Sequence, residues 1–194
     1  MASRISQEEE NYVRMSLLLT GISPRAARVL FDSEFSPTLL NSSLKKEFNT
    51  LKDLQKKRII NQSQWNLLFP RFPDVLDSKT FDVTLMIVLL RNLTNLNPPY
   101  GGYDILPSPS EVTPTSDLAR IKYYRNIVAH LDEGRIDNYM FNKAWDDITG
   151  VSTLKQYHII PFFKELDETL RIVAGFDTNL HNNLSLEQLM AKLN

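Results

Sequence analysis

The sequence predicts an all-α fold, a helical bundle with one long ordered connection. Two observations predict it. Proline and glycine are sparse and clustered, so residues 38–69, 74–97, 115–133, 135–149 and 176–194 run free of both, and stretches of that length favour helices over short strands. Within them, apolar residues recur at helical spacing behind recognisable start signals.

The elements follow in order. A first helix is expected over 7–19, ending at Thr20-Gly21. Ser23-Pro24 opens a second, with serine as N-cap and proline in the first helical position, and with Ala27, Leu30 and Phe31 facing a core. Ser36-Pro37 repeats that signal before Leu39, Leu40 and Leu44. Thr50 with Asp53 three residues on is a near capping box for a helix carrying Leu51, Leu54, Ile59 and Ile60, and a further short helix is expected near Ser63. Residues 79–95, with Phe81, Leu85, Met86, Leu89 and Leu90, are expected to be the most buried helix. Residues 97–115 hold five prolines and two glycines among Tyr100, Tyr103, Ile105 and Leu106, which suits an ordered strap rather than a tether. Ser116 is expected to cap a helix over about 116–131. Helices near 137–148, 158–174 and 185–193 complete a single domain over residues 1–194.

Composition limits what the chain can be. It has 194 residues, 42% hydrophobic and 23% charged, with a formal net charge of −1. That is enough chain for a real core and too little positive charge for a general attraction to nucleic acid. The absence of cysteine excludes disulfides and thiolate metal sites. The N-terminal MASRISQEEE lacks the apolar core of a signal peptide, and the apolar run Leu85–Leu90 is far too short to span a bilayer. A cytoplasmic location, with no membrane partner, is therefore expected. His158 and His181 have no carboxylate neighbours at metal-ligand spacing, so neither metal nor cofactor is expected.

The chemistry concentrates in Arg120–Gly134, RIKYYRNIVAHLDEG. On a helical wheel of about 100° per residue, Ile121, Tyr124 and Val128 form one stripe. Tyr123, Asn126, Ile127 and His130 fall on roughly the opposite side with Ala119, and Arg125 lies at the flank of the first stripe. The second face suits another protein surface lined with polar groups, so Tyr123 and Ile127 are expected at a homodimer interface. Asn126 and His130 are four apart and can meet. A guanidinium is a planar fork suited to phosphate, and imidazole moves protons near neutral pH. Arg125, Asn126 and His130 could thus cleave RNA without metal, a symmetric dimer supplying the second proton carrier. The same residues also fit a surface ion pair and a helix C-terminal cation. The basic run Lys56, Lys57 and Arg58 reads as a solvated helix face, and Trp65 and Trp145 as core.

Arg125-Asn126 followed by His130 matches R-N-x-x-x-H, the signature of the HEPN superfamily. DLARIKYYRNIVAH, LLRNL, NPPYGGYDILPSPSE and FNKAWDDI together resemble the subfamily found in a DAZ-interacting zinc-finger ubiquitin ligase, over about residues 10–175. The resemblance implies a helical bundle that dimerises through the motif helix. It implies a metal-independent endoribonuclease acting on single-stranded RNA at a dimer cleft, with Arg125 and His130 as the catalytic pair and Asn126 beside them. Lys122, Tyr123 and Arg91 are the expected RNA contacts. The alternative it implies is a non-catalytic dimerisation or ligand-sensing module in an innate-immune or ubiquitin-ligase assembly. Some bacterial members carry a modified tyrosine two positions after the histidine; Asp132 stands there in this chain.

Overall fold

The computed structural model describes residues 6–149. Eight α-helices and no strand are present among them: α1 (Gln7–Leu17), α2 (Ser23–Glu34), α3 (Leu40–Lys46), α4 (Phe48–Lys56), α5 (Gln62–Leu68), α6 (Val83–Leu93), α7 (Pro114–Ala129) and α8 (Asn138–Thr149). The fold class is the expected one. The helices expected over 158–174 and 185–193 lie outside the described residues. Contacts group the described residues into two compact units, one built from residues 6–26 with 99–149, the other from Ala27–Pro98.

In the first unit, Ser6 caps α1 through a capping box with Glu9. The expected stop at Thr20-Gly21 does not occur. Leu18–Ile22 forms a π-helical turn that carries α1 into α2, and Ser23 has helical dihedrals instead of capping. The reason is burial: Leu17, Leu18 and Leu19 are all sealed from solvent, so the chain keeps its hydrogen-bonded form. The widened turn is satisfied by side chains, with Thr20 Oγ1 donating to the Ser16 carbonyl at 2.7 Å and Ser23 Oγ to that of Leu18 at 2.9 Å. These leucines pack with Met15, Tyr124, Val128, Ala144 and Ile148 in one core, each fully buried leucine contributing roughly 1.5–3 kcal/mol.

In the second unit, α3 starts at Leu40 without a side-chain cap, because Ser36–Leu39 closes a turn first (Leu39 N–H to the Ser36 carbonyl, 2.9 Å). Leu39 is left 60% exposed while Leu40 and Leu44 are buried. Thr50 lies inside α4 and its hydroxyl donates to Glu47 at 3.1 Å rather than capping. Asn61 caps α5 through a box with Gln64, and Asp82 caps α6. Phe31 packs at a tilt against Phe35 and meets Phe81 edge-on at 5.7 Å. The Arg28 guanidinium donates to the carbonyls of Ser78, Lys79 and Phe81 at 3.0–3.2 Å, fixing the chain that enters α6. Buried Phe81, Leu85, Met86, Leu89 and Leu90 bear out the expected core stripe, whereas Ile59 is 48% exposed.

Candidate functional site

The site is built on α7. Thr113 is its N-cap, not Ser116: the Thr113 hydroxyl accepts from the Ser116 N–H at 3.1 Å, the Ser116 hydroxyl accepts from the Thr113 N–H at 3.0 Å, and Pro114 takes the first helical position. From Thr115 to Ile121 every residue is buried. Among them Arg120 is 5% exposed and fully engaged. It donates to Asp117 at 3.0 Å, to the Ser116 hydroxyl at 3.3 Å, and to the carbonyls of Ser108 and Glu111 at 2.6 and 2.8 Å.

Those carbonyls belong to the proline-rich strap. Its loop is closed by the Glu111 carboxylate, which accepts from the N–H groups of Tyr100 and Ser108 at 2.8 and 3.1 Å. Tyr103 is buried and Leu106 packs on the core, but Tyr100 is fully exposed and Ile105 61% exposed, so only part of the strap covers apolar surface. Lys122 pairs with Asp104 of the strap.

Beyond Ile121 the helix is two-sided. Tyr124 and Val128 are buried. The Tyr124 hydroxyl donates to Asp147 of α8, which also takes Lys143 at 3.0 Å. Burial first, and the Asp147 carboxylate second, push the Tyr124 phenol well above the usual tyrosine range. On the other face, Tyr123, Asn126, Ile127 and His130 line a groove of about 490 Å³ together with Tyr103, Asp104 and Leu131. Tyr123, Ile127 and Leu131 are half-buried against the core, and Asn126 and His130 are exposed.

His130 sits at the C-cap of α7. Its N–H bonds to the Ile127 carbonyl at 3.0 Å, and the Leu131 N–H to that of Val128 at 3.3 Å. The chain then turns through Gly134 at φ +60°, a conformation that favours glycine, and is moored to α1. There the Ile136 N–H meets the Glu8 carbonyl at 3.0 Å, and the buried Asn11 amide donates to the Ile136 carbonyl and to Asn138 at 3.1 and 2.8 Å.

The expected site residues therefore divide. Asn126, His130, Tyr123 and Ile127 come together in one groove. Arg125 does not line it: five residues before His130, it points about 140° away around the helix, half-buried beside the core stripe. Lys122 is tied to the strap. Arg91 is exposed on α6, in the other unit. Trp65 and Trp145 are half-buried rather than core. Sequence reasoning passed over Arg120 and Asp104. The only local signal for Arg120 was an arginine three residues after Asp117 in a helix with apolar residues on several faces. Among the described residues no group of three or more His, Asp or Glu is placed to hold a metal ion, and no helix is long and apolar enough to cross a membrane.

A family model described as "DZIP3/ hRUL138-like HEPN" matches residues 37–154 of the 194, more than half of the chain. The mouse E3 ubiquitin-protein ligase DZIP3 is 27% identical over 128 residues, covering 64% of this chain and 11% of the ligase. The human E3 ubiquitin-protein ligase DZIP3 is 26% identical over 128 residues with the same coverage. The chain thus spans about a tenth of the length of these curated relatives. No solved structure matches it.

Proposed function

The chain belongs to the DZIP3/hRUL138-like HEPN family, and from that premise we propose that it is a self-association and ligand-sensing module whose working surface is the groove beside α7. One observation carries this reading: the signature is divided by the helix. Asn126 and His130 share the groove with Tyr123 and Ile127, while Arg125 stands on the far flank. A cleft that both docks and cleaves RNA within one chain needs arginine and histidine on the same wall. A docking surface needs half-buried apolar residues beside partly exposed polar ones, and this groove has them. Its electrostatics agree. The Asp104 carboxylate pairs with Lys122, leaving no positive surplus to draw phosphate. The proposed occupant is a second copy of the chain, in line with the dimerisation that the family resemblance implies, and the proposed setting is an assembly of the ubiquitin-ligase kind, since the relatives are named E3 ubiquitin-protein ligases. Sedimentation at roughly tens of micromolar, a loading suited to weak dimers, tests this. Wild type is expected as a dimer and Ile127→Glu as a monomer with unchanged circular dichroism. A monomeric wild type refutes the proposal.

Metal-independent RNA cleavage is the second reading, favoured by a specific observation: the exposed side chains of Asn126 and His130 have no hydrogen-bond or ionic partner among the described residues. In this reading the ribose 2′-hydroxyl attacks its own phosphate. His130 takes that proton, the 5′-oxygen leaves with a proton from the second copy's histidine, and Arg125 reaches the phosphate across the two-fold. Lys122 and Tyr123 supply RNA contacts. Single-stranded RNA with a chelator present should then yield a 2′,3′-cyclic phosphate, and His130→Ala and Arg125→Ala should each lose at least ~100-fold in rate. Activity that survives His130→Ala, or that requires magnesium, sinks this reading.

A further inference from the structure

A different surface, within the Ala27–Pro98 unit, carries an inference independent of the groove. After α5 the chain runs FPRFPDVLD from Phe69 to Asp77. The last part of it, residues 74–77, is held at both ends. The Asp74 N–H bonds to the Arg71 carbonyl at 2.9 Å. Asp77 is extended and caps the helical turn Ser78–Thr80 by accepting from the Lys79 N–H at 2.9 Å. The Arg28 guanidinium fixes the carbonyls that follow. Between these ends the backbone is open. Neither the N–H nor the carbonyl of Val75 or Leu76 has a hydrogen-bond partner among the described residues. Val75 is 82% exposed and Leu76 half-buried, the alternation of an extended chain. Beside them lies a cleft of about 300 Å³, walled by Leu68, Phe69, Pro70, Val75 and Leu76, with Lys45 of α3 on its side.

An extended stretch with unpaired main-chain groups is a template for pairing with a second extended chain. Holding it at both ends lowers the ordering cost of that pairing. The cleft says which side chain the second chain inserts. Its volume is at the low end for a ligand pocket, and its walls are largely apolar, which suits one large apolar side chain. The charges say what stands next to that side chain. Lys45 and Arg71 are exposed and have no ionic partner among the described residues. The Asp77 carboxylate is committed to its cap, so Asp74 alone opposes the two cations. A carboxylate beside the apolar anchor therefore finds a charged donor in Lys45. A docked helix keeps its own main-chain groups paired and has no use for those of Val75 and Leu76. We infer that residues 74–77 and the adjoining cleft bind an extended acidic peptide segment of another protein. The peptide pairs its backbone with Val75 and Leu76, seats one apolar side chain in the cleft and sets a carboxylate on Lys45.

The test pans a phage-displayed library of random twelve-residue peptides on the full chain. Wild type is expected to enrich peptides that place Asp or Glu beside a large apolar residue. The most enriched peptide is then synthesised with a fluorophore and measured by polarisation. Lys45→Glu should weaken its binding about ten-fold or more, the scale of one hydrogen bond to a charged group, and Lys45→Arg should keep most of it. The exposure of Lys45 leaves folding intact in both variants, which circular dichroism checks. Backbone pairing has its own readout. Only alternate N–H groups of an extended peptide face its partner, so N-methylation of alternate residues should abolish binding in one register and be tolerated in the other. No enrichment, enriched peptides without a carboxylate, or a best peptide indifferent to Lys45→Glu overturns the inference. So does equal loss from both methylation registers, or self-association of the chain that Lys45→Glu abolishes, which makes the occupant a second copy.

Discussion

The two halves of α7 obey different rules. From Thr115 to Ile121 the helix is buried all round, polar residues included, and its charges are spent on Asp117, Arg120 and the strap. From Lys122 to His130 it has a dry side of Tyr124 and Val128 and an open side on the groove. One half anchors; the other displays. The display depends on the anchor, because the strap that Arg120 holds supplies Tyr103 and Asp104 to the groove's second wall. The family signature is confined to the display half. The residue that fixes the site's shape lies just upstream of it and has no place in the signature.

The anchor half should break hardest. Arg120→Ala removes the guanidinium that pairs with the buried Asp117 carboxylate, and leaves the Ser108 carbonyl with only the Glu111 N–H and the Glu111 carbonyl with only the Ser116 hydroxyl as donors. Breaking a buried pair from one side costs about 3–5 kcal/mol, and urea unfolding should show a loss of that size. Replacing both members together, Asp117→Leu with Arg120→Met, should recover much of it, since no uncompensated charge remains. A loss below about 1 kcal/mol for the single change would mean that the pair is not sealed in solution.

A smaller effect tests the dry side of the display half. Tyr124→Phe keeps the ring in the core and removes only the hydroxyl that donates to Asp147. Lys143 remains on that carboxylate, so the acid is not orphaned, and the expected loss is about 1 kcal/mol, the usual net value of one hydrogen bond. In the wild type the phenol is held well above its ordinary range. A folded-state value that high means the protonated form is the stabilised one. The hydroxyl's contribution is present below the unfolded tyrosine value near 10 and is lost only as pH rises beyond it. The difference between Tyr124→Phe and wild type should therefore stay flat from pH 6 to 9.

How much of this was legible follows the same division. The all-helical class, the strap, the core stripe Leu85–Leu90 and the two faces of residues 121–130 were readable, because each depends on local spacing and on the punctuation of proline and glycine. Thr20-Gly21 misled because burial of Leu17–Leu19 outweighs a local stop signal. Ser116 misled because a capping box places a polar residue at both ends, and Pro114 was the clue that the helix starts earlier. Arg120 showed only its i−3 spacing to Asp117; its strap partners are carbonyls nine and twelve residues away in an irregular segment, contacts that no helical periodicity encodes. The separation of Arg125 from His130 was in the wheel from the start; a motif read as a string hides the 140° that the helix puts between its ends.

The smallest expected effect compares two helix starts. The box that opens α7 is built from Thr113 and Ser116, neither of which titrates. The box that opens α1 uses Glu9, whose carboxylate accepts from the Ser6 N–H at 2.8 Å and the Ser6 hydroxyl at 3.0 Å. The Ser6 backbone bond first, then the hydroxyl, hold Glu9 below the ordinary glutamate value of 4.5, with Arg135 adding a minor attraction. A depressed folded-state value means that Glu9 stabilises the protein above pH 4.5 and that the contribution is lost as pH falls through the folded value below it. Glu9→Gln should therefore be slightly less stable than wild type at pH 7, and the gap should close as pH falls below 4.5 in parallel unfolding titrations. Thr113→Ala removes an uncharged cap at the start of α7, so its deficit should not change over that range. If the two deficits move together with pH, the contrast between a titrating and a non-titrating cap is wrong, and acid is acting on the fold through some other carboxylate.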